Sequence, residues 1–324
     1  MIQYQAMTKR GFSWAIIVAI VMSAAAFLTG SGLPMTGESG ICLPSANLWI
    51  RSELASWLVN LGLIIITGVS AYFLNKDYSF IPGSNYLVLP GMYVLITASN
   101  PWISAGLTSS ALLAIANIVC LAIMFSCYRQ RNATQEMFAV ATILSLGTMT
   151  EYGFILYIPA YIAIAIILKC FGLKELGAYL LGLFAPYWVG VGLGIIPLDS
   201  FRLPTITNLL TDYTTASYLL TGLIMIAATG LITLVTGLNN SVKLYAGNTH
   251  RRLLNASLNV IGLVTILAMV FDTGNLLFYV STLNLLMAVQ LANVFALWSR
   301  RRGSIWILAL SAAYIGAGIA MMKI

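Results

Sequence analysis

The sequence predicts an all-α fold, a polytopic transmembrane helical bundle, and three observations predict it. Hydrophobic residues make up 60% of the 324 and charged residues only 8%, too few polar side chains to cover a surface facing water. Apolar runs of bilayer length recur from one end of the chain to the other. The cations between those runs sort by side, as they do when Lys and Arg are held back at the cytoplasmic leaflet.

Taken in order, the apolar runs cover residues 12–30, 55–74, 86–99, 105–128, 137–149 and 154–168, then 176–196, 217–238, 257–271, 275–298 and 304–322, eleven in all. A single crossing needs roughly 17 to 25 residues, so 86–99, 137–149 and 154–168 are short. The pair 137–149 and 154–168 forms either two spans or one re-entrant hairpin; the hairpin reduces the count to nine and leaves the later topology unchanged. Lys9 and Arg10 followed by Ala24, Ala25 and Ala26 look like a signal peptide. This first run is read as a retained helix.

With the N-terminus inside, Lys9, Arg10, Lys76, Arg129, Arg131, Lys169, Lys174, Lys243, Arg251, Arg252, Arg300, Arg301 and Arg302 are cytoplasmic, and only Arg51, Arg202 and Lys323 lie outside. Every even-numbered span then ends beside a cation, which fixes the orientation. The chain is expected to be one integral membrane domain over residues 1–324, with no soluble domain, in a bacterial inner (cytoplasmic) membrane. The net charge of +7 sits in short loops beside apolar runs, where it meets anionic headgroups rather than nucleic acid.

Cys42 falls in an outer loop, Cys120 and Cys127 in a span and Cys170 at the cytoplasmic face, so no intrachain disulfide is expected. The single histidine, His250, lies in a basic loop, and no Cys/His/carboxylate grouping has metal-ligand spacing. Neither a metal nor a cofactor is expected. Asn132-Ala-Thr134, Asn239-Asn-Ser241 and Asn255-Ala-Ser257 match the glycosylation pattern but are cytoplasmic, hence chance matches.

In the seventh run Ala178, Gly182, Pro186, Gly190 and Gly194 recur every fourth residue, a stripe of small side chains against which another helix can pack. Ala312, Gly316 and Ala320 repeat the spacing in the last run. Asn60, Asn117, Asn259, Asn284, Gln290 and Asn293 are expected to face protein, because an amide in hydrocarbon is costly without a partner. Gln290 and Asn293 share a helical face, and Asn284 points roughly opposite at about 100° per residue. Interhelical hydrogen bonding, not one polar pathway, is the expected use. Trp49, Trp57, Trp102, Tyr152, Trp188 and Tyr213 are placed as interfacial anchors.

No Asp, Glu, Lys or Arg is expected near a bilayer midplane, which argues against a proton-driven pump. The outer carboxylates are the remaining candidates for chemistry. Glu38, in Thr36-Gly37-Glu38-Ser39-Gly40, is either a solvated loop acid or a catalytic residue, acting as a base or binding a metal beside a lipid-linked donor. Glu151, in a tight turn, is read as a structural acid paired with a neighbouring donor.

Tyr128-Arg129-Gln130-Arg131-Asn132, the hydrophobic pair around Glu151-Tyr152, the loop from Lys169 to Glu175 and Leu181-Gly182-Leu183-Phe184-Ala185-Pro186-Tyr187 form a succession over residues 110–188. It resembles an uncharacterised family of polytopic inner-membrane proteins from Bacteroidota, a domain of unknown function that carries no catalytic residue over to this chain. The layout is also similar to membrane glycosyltransferases that use polyprenyl-phosphate sugars. That similarity implies a polyprenyl-linked substrate and puts Glu38 in the catalytic-acid position. The chain departs from it in having one such acid where those enzymes often pair two, and in lacking a soluble domain and a cluster of outer arginines.

Three function classes follow: a cell-envelope protein acting on or handling lipid-linked glycans, a non-enzymatic subunit or scaffold that packs against another membrane protein, and a transporter or flippase of an amphiphile. The partners are membrane lipids in every case.

Overall fold

The computed structural model describes residues 2–32, 40–82, 87–130, 132–202, 217–244, 249–297 and 300–322. Among these the chain is 83% helical with no strand. The α-helices are α1 (Ile2–Leu28), α2 (Glu53–Tyr78), α3 (Val88–Ala98), α4 (Pro101–Ser104), α5 (Ser109–Ser126), α6 (Thr134–Thr150), α7 (Tyr157–Leu168), α8 (Leu173–Gly192), α9 (Ser217–Leu244), α10 (Thr249–Phe271), α11 (Leu276–Leu297) and α12 (Arg300–Met321). Among the described residues six segments are long and apolar enough to cross a membrane: Gly11–Leu28, Glu53–Tyr78, Ser109–Ser126, Leu220–Val242, Thr249–Phe271 and Thr273–Ala296. The chain is therefore a multi-pass membrane protein. Val88–Ala98, Tyr152–Leu168 and Ile305–Met321 are apolar but shorter.

Residues 277–295 are all buried, and α11 forms the axis of the bundle, packed against α3, α5, α9 and α10. Its composition dictates that place. Ser281, Thr282, Asn284, Gln290 and Asn293 project in several directions around one helix and are all buried; any face turned to lipid would leave polar groups without partners. Asn284 donates to Thr97 on α3 at 3.4 Å. Gln290 donates to Asn259 at 2.8 Å and Asn255 at 3.3 Å on α10, and accepts from Asn240 on α9 at 2.7 Å. Asn293 shares the face of Gln290 but has no hydrogen-bond partner for either amide atom among the described residues.

The apolar run expected over 86–99 holds the single helix α3, whose 11 residues are too few to cross a membrane alone. α3 ends at Ala98, Ser99 and Asn100 interrupt it, and α4 follows, so the next helix begins at Ser109 rather than 105. Pro101 causes the break: it forces Asn100 into extended backbone, φ −91° and ψ 104°. The Asn100 side chain then caps α4 by accepting from Trp102 N at 3.1 Å. Trp102 is not the interfacial anchor expected of it. It is 2% exposed and lies against Gly222 of α9, where a Cβ would come within 2.0 Å of the indole.

The pair expected as spans or a hairpin is α6 and α7, joined by a 3-10 turn at Tyr152–Leu156. α6 packs chiefly on α8 rather than on α7. Gly182 is the reason: a Cβ there would sit 2.5 Å from Phe138 O and 2.8 Å from Ala141 Cβ. Pro186 lacks an N–H and its ring crowds the carbonyl four residues earlier. The Gly182 carbonyl, which loses its donor, accepts from Thr142 Oγ1 of α6 at 3.4 Å, and beside it Ser145 Oγ donates to Leu183 O at 2.6 Å. Ala178 is half-buried, Gly190 is buried against Ile196, and Gly194 lies beyond the helix at φ +70° with nothing within 4 Å of a Cβ. Gly194 thus leaves the stripe because α8 ends at Gly192.

Candidate functional site

One end of the bundle gathers the described polar residues that the apolar runs leave out, and Glu151 is its centre. α6 ends at Thr150, so its last carbonyls have no intrahelical donors. The irregular segment 40–43 supplies them: Gly40 N donates to Thr150 O at 2.9 Å, Ile41 N to Thr148 O at 3.1 Å and Leu43 N to Met149 O at 2.8 Å. Only glycine fits at the first of these contacts, since a Cβ on Gly40 would lie 2.2 Å from Met149 O. The segment is in turn held by Arg202 N donating to Ile41 O at 2.9 Å, and Tyr152 donates its hydroxyl to Arg202 O at 2.5 Å.

Glu151 sits in extended backbone, φ −151° and ψ 127°, and is 3% exposed. Its Oε1 accepts from the Ser45 hydroxyl and from the Ser109 hydroxyl, the latter at 2.5 Å. Each hydroxyl has one proton, so donation to the carboxyl uses both, and the 3.0 Å approach of Ser45 Oγ to Ser109 Oγ follows from the shared acceptor. Asn47 Oδ1 accepts from Ser109 N at 2.9 Å, satisfying a donor in the first turn of α5. Gly153, two residues on, is packed so closely under α11 that a Cβ would meet Phe278 at 2.5 Å and Tyr279 Oη at 2.7 Å. Tyr279 donates to Asp272 Oδ2 at 2.8 Å. A single carboxyl therefore ties three parts of the chain: the 40–47 segment, the start of α5 and the α6–α7 corner.

Cys42 lies in the same segment, half-buried, and burial pushes its thiol up, which makes it a poor nucleophile at neutral pH. Among the described residues no group of three His, Cys, Asp or Glu can hold a metal ion. Glu38 lies outside the described residues; Gly40, two positions later, is bonded to the corner beside Glu151. Sequence reasoning paired Glu151 with an unnamed donor and missed Ser45, Asn47 and Ser109, which carry no signal of their own because serine and asparagine are common at helix starts and turns.

At the opposite end Arg129 N donates to Leu168 O at 3.2 Å, and Tyr128 meets the His250 ring at 4.5 Å. These contacts bring together the ends of α5 and α7, which carry Arg129 and Lys169, and the first turn of α10, which carries Arg251 and Arg252. Between α9, α10 and α11 a cleft of about 80 Å³ is lined by Thr233, Gly237, Gly262 and the Asn259–Gln290 pair.

No protein-family model, curated protein or solved structure matches the chain.

Proposed function

We propose that this protein is an eleven-span, single-domain protein of the bacterial cytoplasmic membrane, N-terminus inside, that acts on or handles a lipid-linked glycan at its outer face. The Glu151 end is the outer end in this reading. The clustering of Arg129, Lys169, Arg251 and Arg252 connections at the other end supports that orientation, because cations are retained on the cytoplasmic side. The observation that carries the functional reading is the Glu151 centre itself. A carboxyl buried at the rim of an otherwise apolar bundle is a functional-site hypothesis by default, and here its corner holds Gly40 and Arg202, which belong to the two long stretches between apolar runs at 31–54 and 197–216, outer loops in this reading. The centre provides a fixed platform for residues of those loops, with Glu38 as the acid to act on the substrate. The amides of α11 support transport less well, since Asn284 and Gln290 are consumed in bonds to helices on different sides.

Glu38→Ala, in a strain that depends on this protein, is expected to abolish surface-glycan production while the variant accumulates at the normal level. Unchanged glycan with the variant present in the membrane removes the enzyme reading.

One observation favours the subunit reading as the alternative. Ala312, Gly316 and Ala320 are all exposed along α12, and a Cβ on Gly316 would meet nothing within 4 Å. A helix of another membrane protein can approach this stripe closely.

A further inference from the structure

Three helix ends meet at the end of the bundle opposite Glu151, and each brings a cation. α7 stops at Lys169, φ +59°, and the chain leaving α5 turns at Arg129, φ +58°, both non-glycine residues in the left-handed region. Glycine is the usual residue at such a turn, because a Cβ is strained there. This chain puts a long cation at both places and holds them together: Arg129 N donates to Leu168 O, the carbonyl next to Lys169, at 3.2 Å. The third end is the start of α10, where His250, Arg251 and Arg252 follow one another with no acidic residue in the first turn. It is fixed to the other two through Tyr128, whose ring meets the His250 ring edge-on at 4.5 Å and carries the Arg129 guanidinium 5.3 Å from its centroid.

Nothing in the protein neutralises this surface. Among the described residues Arg129, Lys169 and Arg251 make no ion pair. Glu136 and Glu175, the acids that follow the two turns in the chain, stand in the first turns of α6 and α8, where the helix dipole stabilises a carboxylate without a cation. Arg129 and Lys169 are exposed. The surface also lies at a membrane boundary, since α5 and α10 are both long and apolar enough to cross. Apolar side chains border the cations: Ile166, one turn before Lys169, and Phe171, two residues after it, are exposed. A cationic rim above an apolar wall is complementary to a lipid with an anionic headgroup, its phosphate at the rim and its acyl chains along the wall.

We propose that the joined ends of α5, α7 and α10 bind the phosphate of an anionic phospholipid, with Arg129, Lys169 and Arg251 as the cations that recognise it. The Arg129 guanidinium is planar and presents paired N–H donors that suit two phosphate oxygens at once, and Lys169 adds a point charge beside it. Stacking on Tyr128 holds the guanidinium in place before the lipid arrives, so less side-chain freedom is lost on binding. The strained backbone answers the same requirement, because glycine at either turn would relax it and remove the charge. The orientation proposed above decides only that the cytoplasmic leaflet supplies the lipid; binding in detergent is read whatever the orientation.

The test is native mass spectrometry of the purified full-length protein in mild detergent, titrated with phosphatidylglycerol and, separately, with phosphatidylcholine, whose phosphate is offset by a choline cation. The first phosphatidylglycerol is expected to bind at about one-tenth of the concentration that phosphatidylcholine needs, and to raise the melting temperature. Arg129→Gly combined with Lys169→Gly should melt no lower than the parent without lipid, since glycine accepts this backbone, and should lose the preference. Arg251→Gln leaves both turns untouched and should lose part of it, which keeps the test decisive if the glycine pair does not fold. Lys76→Gln removes one charge from the last turn of α2 and should change nothing. A folded glycine pair that keeps the preference overturns the proposal, as does Arg251→Gln keeping it in full. So does an equal loss in Lys76→Gln and Arg251→Gln, the mark of diffuse attraction to any basic surface. Displacement of the bound lipid by millimolar inorganic phosphate would assign the cations to a free anion and overturn it as well.

Discussion

Glu151→Ala is expected to lower the stability of the protein by about 3 kcal/mol, because two hydroxyls lose a shared carboxyl acceptor and bonds of this kind are worth roughly 1.5–3 kcal/mol each. Ser45 and Ser109 recover only part of the loss, by turning to acceptors that are poorer than a carboxyl: Ser45 to Ser109 Oγ at 3.0 Å and Ser109 to Asn47 Oδ1 at 3.2 Å. The strap at 40–43 depends on the same corner, so its release should accompany the loss. The measurement is thermal unfolding in detergent together with limited proteolysis. The variant should unfold several degrees lower, at roughly 2–4 °C per kcal/mol, and be cut first in the loop around residues 33–47. Glu151→Gln keeps the acceptor oxygen and should lose much less. Equal stability of Glu151→Ala and the parent would show that the three-way tie is not what fixes this end of the bundle.

The second large effect is expected at Gly318. A Cβ there would lie 2.1 Å from Ser99 O and 3.1 Å from Met22 Cε, so α12 touches the backbone of the α3–α4 break itself. A side-chain end could swing aside, but the Ser99 carbonyl is held between Pro101 and the last turn of α3, where Ser99 N bonds to Leu95 O at 2.9 Å. Gly318→Leu should therefore force α12 off α3, at a cost of about 3 kcal/mol, the upper end of what overpacking usually causes. Gly316→Leu is the internal control. It faces open space and should leave the melting temperature unchanged, so a fold defect confined to Gly318→Leu checks the packing direction of α12. A folded Gly316→Leu that nevertheless loses function would favour the docking of a partner helix over the glycan reading.

That pair of glycines also marks the limit of what was legible in the sequence. They are two residues apart, hence about 200° apart around the helix, and nothing in an apolar sequence says which of the two meets protein and which meets lipid. In a soluble helix the polar face would decide; in lipid both faces are apolar and the small-residue signal is degenerate. The amides were more informative. Asn284 and Gln290 had to face protein because hydrocarbon offers them nothing, and the burial of α11 on all sides follows from their spread around it. Pro186 and Gly182 also announced a close helix contact, although the partner, α6, came from the structure. Trp102 went the other way, since tryptophan at a span end is usually interfacial and here Gly222 opens a slot that buries it.

The Glu151 centre was half legible. Its carboxyl stood out because acids are so rare in this chain, but Ser109 is 42 and Ser45 is 106 positions away, and no local pattern links them. The break at Ser99–Asn100 could have been read from Pro101, which excludes helix at the residue before it.

The orientation of the bundle carries every functional statement made above, and one measurement tests it directly. Single cysteines placed at Asp199 and at Arg252 in a cysteine-free background are treated, in cells with a permeabilised outer membrane, with a maleimide that cannot cross the cytoplasmic membrane. The account predicts that the Asp199 site is labelled at once and the Arg252 site only after lysis. Labelling of both sites in intact cells, or of Arg252 alone, would contradict it.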